Sequence, residues 1–85
     1  MNKVQVLDCT LRDGGYCNQW RFGYDNILSI VRGLGDAKVD IIECGFLTQK
    51  VVYDRDVTKF TTLEEINAVI PLNKGDRLYV AMMNF

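Results

Sequence analysis

Histidine is missing from this chain altogether. Imidazole is the usual side chain for moving a proton near neutral pH and a common metal ligand. Both tasks are therefore left to other groups. Cysteine is scarce as well: Cys9, Cys17 and Cys44 are odd in number and form no C-x-x-C pair. That argues against a disulfide framework and against a structural zinc site. Cys9 and Cys44 lie within or at the ends of apolar runs and read as small core residues, whereas Cys17 stands in a more open stretch. No apolar run approaches the ~18 residues of a membrane span, and Met1-Asn2-Lys3-Val4 opens no signal-peptide pattern. Neither sign of charge dominates, with 10 Lys and Arg against 11 Asp and Glu. No footprint for nucleic acid or an anionic membrane follows, and the expected address is cytoplasmic. Internal repeats, low-complexity tracts and linkers are absent too.

What is present centres on Leu7-Asp8-Cys9-Thr10-Leu11-Arg12-Asp13-Gly14-Gly15-Tyr16. Val4–Asp8 reads as a short strand, apolar enough to be covered on both faces as parallel strands are. It runs into a guanidinium, a carboxylate and two glycines. Arg12 and Asp13 are either charged groups at the rim of a core or an ordinary surface pair. The glycines supply either a positive φ or room for a close approach.

Further along, Tyr16–Gly23 has neither helical nor strand period, and Trp20 and Phe22 are expected to pin it to the body. Apolar residues at 24, 27, 28, 31 and 34 predict an amphipathic helix starting near Tyr24 or Asp25. Val39–Glu43 reads as a second strand. Phe46–Phe60 holds either a short extra strand or an ordered loop, with Asp54 and Asp56 as solvated charges. Thr61 or Thr62, each followed three residues later by Glu, starts a second helix through a capping box. Leu63, Ile66, Val69 and Ile70 form its buried stripe and Pro71 ends it. Asn73–Asp76 is a turn, and Arg77–Met83 a third strand. The pattern is β-α-β-α-β, an α/β fold with parallel strands in one domain spanning 1–85. At 85 residues such a domain is marginal for burying a self-sufficient core.

Functional groups of parallel α/β folds gather at the C-terminal ends of strands. Arg12 and Asp13 follow the first strand, and Glu43 is expected at the end of the second. Adjacent strands lie about 5 Å apart, so Glu43 can reach Arg12 and hold its guanidinium in one orientation toward a developing negative charge.

The D-x-T-L-R-D-G run, its Gly-Gly-Tyr continuation and Glu43-Cys44-Gly45-Phe46 resemble the metal-dependent carbon–carbon lyases and synthases built on a TIM barrel. These include 4-hydroxy-2-oxovalerate aldolase, hydroxymethylglutaryl-CoA lyase and isopropylmalate synthase, with the aldolase branch most similar. Such barrels run to ~250 residues, so the resemblance implies the N-terminal third of an incomplete barrel. It further implies Arg12 and Glu43 as catalytic residues, with Arg12 stabilising an enolate oxygen and Glu43 orienting it. Asp13 becomes a ligand of Mn2+, Mg2+ or Zn2+, and Arg12 and Tyr16 contact a small 2-oxo-acid substrate. The family's remaining ligands are a histidine pair that this chain lacks, so the 85 residues alone are expected to bind metal weakly or not at all and to be inactive. Tyr16 stands where typical aldolases carry histidine. Exposed strand edges imply self-association or assembly with the rest of the barrel. The alternative is a non-catalytic barrel module or small binding domain completed by oligomerisation.

Overall fold

The computed structural model describes residues 4–49, 51–70 and 77–84. One parallel sheet is built around its longest strand. The elements are β1 (Leu7–Asp8), a 3-10 turn (Asp13–Cys17), α1 (Tyr24–Asp36), β2 (Ile41–Thr48), β3 (Lys59–Phe60), α2 (Leu63–Val69) and β4 (Leu78–Asn84). β4 runs beside β2 along one edge, from Ile41↔Leu78 to Thr48↔Asn84. β1 and β3 share the other edge, β1 against Ile41 and Ile42 and β3 against Phe46 and Leu47. The parallel α/β class read from the sequence holds, with the extra strand β3 in the stretch left as strand or loop.

α1 forms where its apolar spacing requires, burying Ile27 and Val31. Its N-cap, Gly23, makes no side-chain cap hydrogen bond. Asp56 serves instead: its carboxylate accepts from the Tyr24 N–H at 2.8 Å and its carbonyl accepts from the Gly23 N–H at 2.9 Å. A carboxylate at a helix N-terminus satisfies unpaired donors and opposes the helix dipole, so Asp56 is a structural cap rather than the solvated charge expected. At the other end, Arg77 donates to the Gly35 and Val39 carbonyls at 2.9 and 3.1 Å. Thr62 caps α2 by accepting from the Glu65 N–H at 3.2 Å. Glu65 in turn accepts from the Thr61 N–H and hydroxyl at 2.8 and 2.9 Å.

Both helices lie on one face of the sheet. The core there joins Leu11, Ile27, Val31, Ile42, Cys44, Phe60, Ile66, Val69 and Ile70. Burial of each large apolar side chain contributes about 1.5–3 kcal/mol. Leu63 departs from the expected stripe and is exposed, because it occupies the first helical position, past the edge of the core. Pro71 and the turn at 73–76 lie outside the described residues. The opposite face, followed through the register of Leu7, Ile41 and Leu78, leaves Leu7, Leu78 and Met82 exposed.

Two boundaries differ from the sequence reading. β1 is only Leu7–Asp8, with Val4 and Val6 exposed. β2 continues past Glu43 to Thr48, so Glu43 lies inside the strand and not at its tip. Continuation depends on Gly45, whose φ of 137° is closed to ordinary side chains. It sits in a register shift between Glu43 and Phe46, where β2 carries one residue more than β4. A glycine inside a β pattern hides such a bulge, and the expected strand stops five residues too soon, at Glu43 instead of Thr48.

Candidate functional site

The site begins with Asp8. Its carboxylate accepts from the Thr10 N–H at 2.9 Å and the Thr10 hydroxyl at 3.0 Å, closing a turn as soon as β1 ends. The Cys9 carbonyl then receives the N–H groups of Arg12, Asp13 and Gly14 at 3.2, 2.7 and 3.4 Å. This tight reversal drives Leu11 into the core and brings Arg12 back over the sheet. The D-x-T-L-R-D-G string is therefore one local structure: acid and hydroxyl lock the turn, leucine anchors it, and the cation emerges at a fixed place.

Arg12 meets Glu43 in a two-point contact, Nε to Oε2 at 2.8 Å and Nη2 to Oε1 at 3.2 Å. The Glu43 side chain is 8% exposed and that of Arg12 22%. Hydrogen bonding to Glu43 raises the Arg12 pKa further above its already high value, so the cation is permanent. A guanidinium carries five N–H donors. Two engage Glu43, and those on the outer end are left toward the rim, where Asp13 Oδ1 lies 3.6 Å from Nη1.

Asp13 and Tyr16 sit on the 3-10 turn beside this pair, both largely exposed. Trp20 closes the group. Its Nε1 donates to the Arg12 carbonyl at 2.6 Å, and its ring meets Tyr16 and Phe46 edge-on at 4.7 and 5.5 Å. Gln19 and Trp20 both take left-handed backbone, φ 57° and 59°, a conformation costing non-glycine residues about 1–2 kcal/mol each. That turn folds the indole down onto Gly15, where any Cβ would collide with the ring. The second glycine of Gly14-Gly15 is thus explained by close approach, not by positive φ.

Thr58, fully buried on the approach to β3, fastens the turn to the sheet. Its hydroxyl donates to the Leu11 carbonyl at 2.7 Å, its N–H to the Trp20 carbonyl at 2.9 Å, and its carbonyl accepts from Phe46 N–H at 3.0 Å. Sequence reasoning passed over Thr58 and Lys59; a lone threonine before two strand residues carries no signal until the pairing is known. Lys59 Nζ lies 4.2 Å from the Trp20 ring centroid. Asp54, expected to be solvated, accepts from the Asp56 N–H at 2.9 Å and pairs with Arg21 at 3.3 Å. The backbone hydrogen bond first, and Arg21 second, hold its pKa below the usual carboxylate range.

Cys44 is buried and its thiol is pushed up to about 12 by desolvation and by neighbouring Glu43, which makes it inert at neutral pH. Cys9 is half-buried, less than expected of a core residue, and Cys17 is exposed. Among the described residues no group of three or more carboxylates or thiols converges to hold a metal. Asp13 stands alone, 65% exposed, with a guanidinium as its charged neighbour. One such carboxylate does not amount to a divalent-metal centre, which takes about three protein ligands. A cleft of about 640 Å3 between α1, α2 and β4 includes Arg32 and Tyr79 but neither Arg12 nor Glu43, so it is separate from this site. No described helix is long and apolar enough to cross a membrane.

Comparison with known proteins adds one relative. The 2-isopropylmalate synthase of Staphylococcus carnosus (strain TM300) is 44% identical over 46 residues, covering 54% of this chain and 9% of the synthase. The matched stretch is thus under a tenth of that protein's length. No family model matches, and no solved structure does. The synthase belongs to the same superfamily as the aldolases the sequence resembles. The likeness to that superfamily rests on this partial match.

Proposed function

We propose that this chain supplies the first strands of a TIM-barrel carbon–carbon lyase, of the 4-hydroxy-2-oxovalerate aldolase type, that cleaves or forms a bond of a 2-oxo acid through an enolate. The observation that carries this reading is the two-point Arg12–Glu43 contact. A buried carboxylate gripping one side of a guanidinium fixes its remaining donors in direction, and fixed donors aimed at developing charge lower a barrier without reorganisation. Arg12 binds the oxygen of the enolate, Glu43 positions Arg12, and exposed Tyr16 faces substrate from the same turn. The resident metal of such lyases would supply Lewis-acid stabilisation, but the residues here do not form its site. Asp13 would serve as one ligand among others brought by a different stretch of barrel.

The exposed Leu7, Leu78 and Met82 support assembly with further barrel strands on the face opposite the helices. Uncovered apolar sheet surface and an open β4 edge favour added pairing.

The test is an extended coding sequence that includes a His-x-His ligand pair, assayed for divalent-metal-dependent release of pyruvate from 4-hydroxy-2-oxovalerate. The reading expects Arg12→Ala to abolish turnover and Glu43→Gln to lower kcat by about 100- to 1,000-fold, the range of losing a positioned oxyanion donor. Turnover unaffected by Arg12→Ala, or no cleavage of any 4-hydroxy-2-oxo acid, overturns it.

A further inference from the structure

A second cleft, of about 440 Å3, opens beside Trp20. Gln19, Arg21, Asp54, Val57 and Lys59 line it with the indole. We propose that this cleft is an anion subsite that takes a carboxylate or phosphate group, with Lys59 as the residue that binds it.

Three observations carry the assignment. Among the described residues Lys59 has no carboxylate within ion-pair distance, whereas Arg21 in the same cleft is already matched by Asp54 at 3.3 Å. The cation that remains unneutralised is therefore Lys59. Its ammonium is also positioned rather than free: the backbone is fixed by pairing with Phe46, and Nζ rests 4.2 Å from the Trp20 ring centroid. Ring contact of this kind holds a cation without consuming its three N–H donors. Finally, Trp20 is shared with the Arg12 site, since its Nε1 donates to the Arg12 carbonyl at 2.6 Å. One indole thus touches the Lys59 ammonium through its ring and the Arg12 main chain through its Nε1.

Asp54 disfavours an anion at the Arg21 end, so the ligand group sits at the Lys59 end. As an anion site the cleft stands on this geometry alone. Its role as the seat of a second acidic group, which makes the substrate a 2-oxo acid with a further carboxylate or phosphate, rests on the function proposed above.

Trp20 is the sole tryptophan, so its emission reports directly on the cleft. The experiment titrates the chain with glutarate and with inorganic phosphate at constant ionic strength, following Trp20 fluorescence in wild type, Lys59→Gln and Lys59→Arg, with circular dichroism checking that each variant is folded. The expected result is a saturable change whose Kd weakens about ten-fold in Lys59→Gln, the equivalent of one modest charge-assisted contact, and is restored in Lys59→Arg. A non-saturable change equal to that given by sodium chloride, or equal affinity in Lys59→Gln, overturns the proposal. Parallel titrations with 2-oxoglutarate separate the two readings. If it binds no tighter than glutarate and Arg12→Ala leaves it unchanged, the anion subsite stands and the 2-oxo-acid assignment falls.

Discussion

Glu43 reaches Arg12 across thirty-one positions of sequence and grips it at two points, 2.8 and 3.2 Å, from inside β2. The arginine is the more exposed partner and the glutamate the anchor. Phenylglyoxal modification, mapped by mass spectrometry, is expected to label Arg12 more slowly than the exposed Arg32. Glu43→Ala should bring the two rates together. Equal rates in the wild type would show that the grip does not hold in solution.

The indole of Trp20 occupies the space that a side chain at residue 15 would need. Gly15→Ala is expected to expel it, shifting Trp20 emission to the red and breaking its hydrogen bond to the Arg12 carbonyl. Gly14→Ala, where a Cβ would meet only Thr10 Cγ2 at 3.7 Å, should leave the spectrum unchanged. The contrast between adjacent glycines is the measurement.

Thr58→Val keeps shape but removes the hydroxyl that serves the buried Leu11 carbonyl. An unsatisfied buried acceptor costs about 1–3 kcal/mol, and each kcal/mol lowers Tm by roughly 4–8 °C in a domain of this size. Gly45→Ala should cost at least as much, because its φ of 137° is forbidden to alanine and the added methyl meets the Thr58 backbone. Thermal unfolding of both variants checks the order.

Folding holds the Cys44 thiol protonated far beyond its ordinary value of 9.0, up to about 12. The unfolded chain releases that proton first, so between these values the folded state binds more protons and stability falls as pH rises. Below the ordinary thiol value this contribution is complete. Denaturant midpoints measured across the window are expected to decline less steeply in Cys44→Ala than in the wild type. Parallel curves would show that the thiol is not buried.

Asp13 by itself is a poor metal site. Ligand that binds only the folded state raises Tm with the logarithm of its concentration over Kd, so Mn2+ is expected to leave the Tm of this chain unmoved. An increase that disappears in Asp13→Asn would reveal further ligands.

Much of this could be read from residue order, for identifiable reasons. α1 and the start of α2 were legible because period and capping chemistry are local: Ile27 and Val31 repeat on one face, and Thr62 with Glu65 closes a box. The meeting of Arg12 and Glu43 followed from placing both beside neighbouring parallel strands. The sequence puts Glu43 at a strand end and the structure puts it inside β2, since Gly45 resembles a stop when it is a bulge. Sequence alone makes Asp56 a solvent charge because the helix it caps begins thirty-two residues earlier. Thr58 and Lys59 carry no local signal for the same reason: their roles are set by partners that only tertiary structure supplies.

The extra residue at Gly45 also constrains how β2 can vary in length. Removing one residue there would restore plain alternation with β4, leaving Phe46 opposite Met82 on the Glu43 face but losing the local bend that a bulge gives a strand. A one-residue change elsewhere in the strand would instead turn every following side chain to the other face, so the bulge is where β2 can lose a residue and still present Phe46 to the indole.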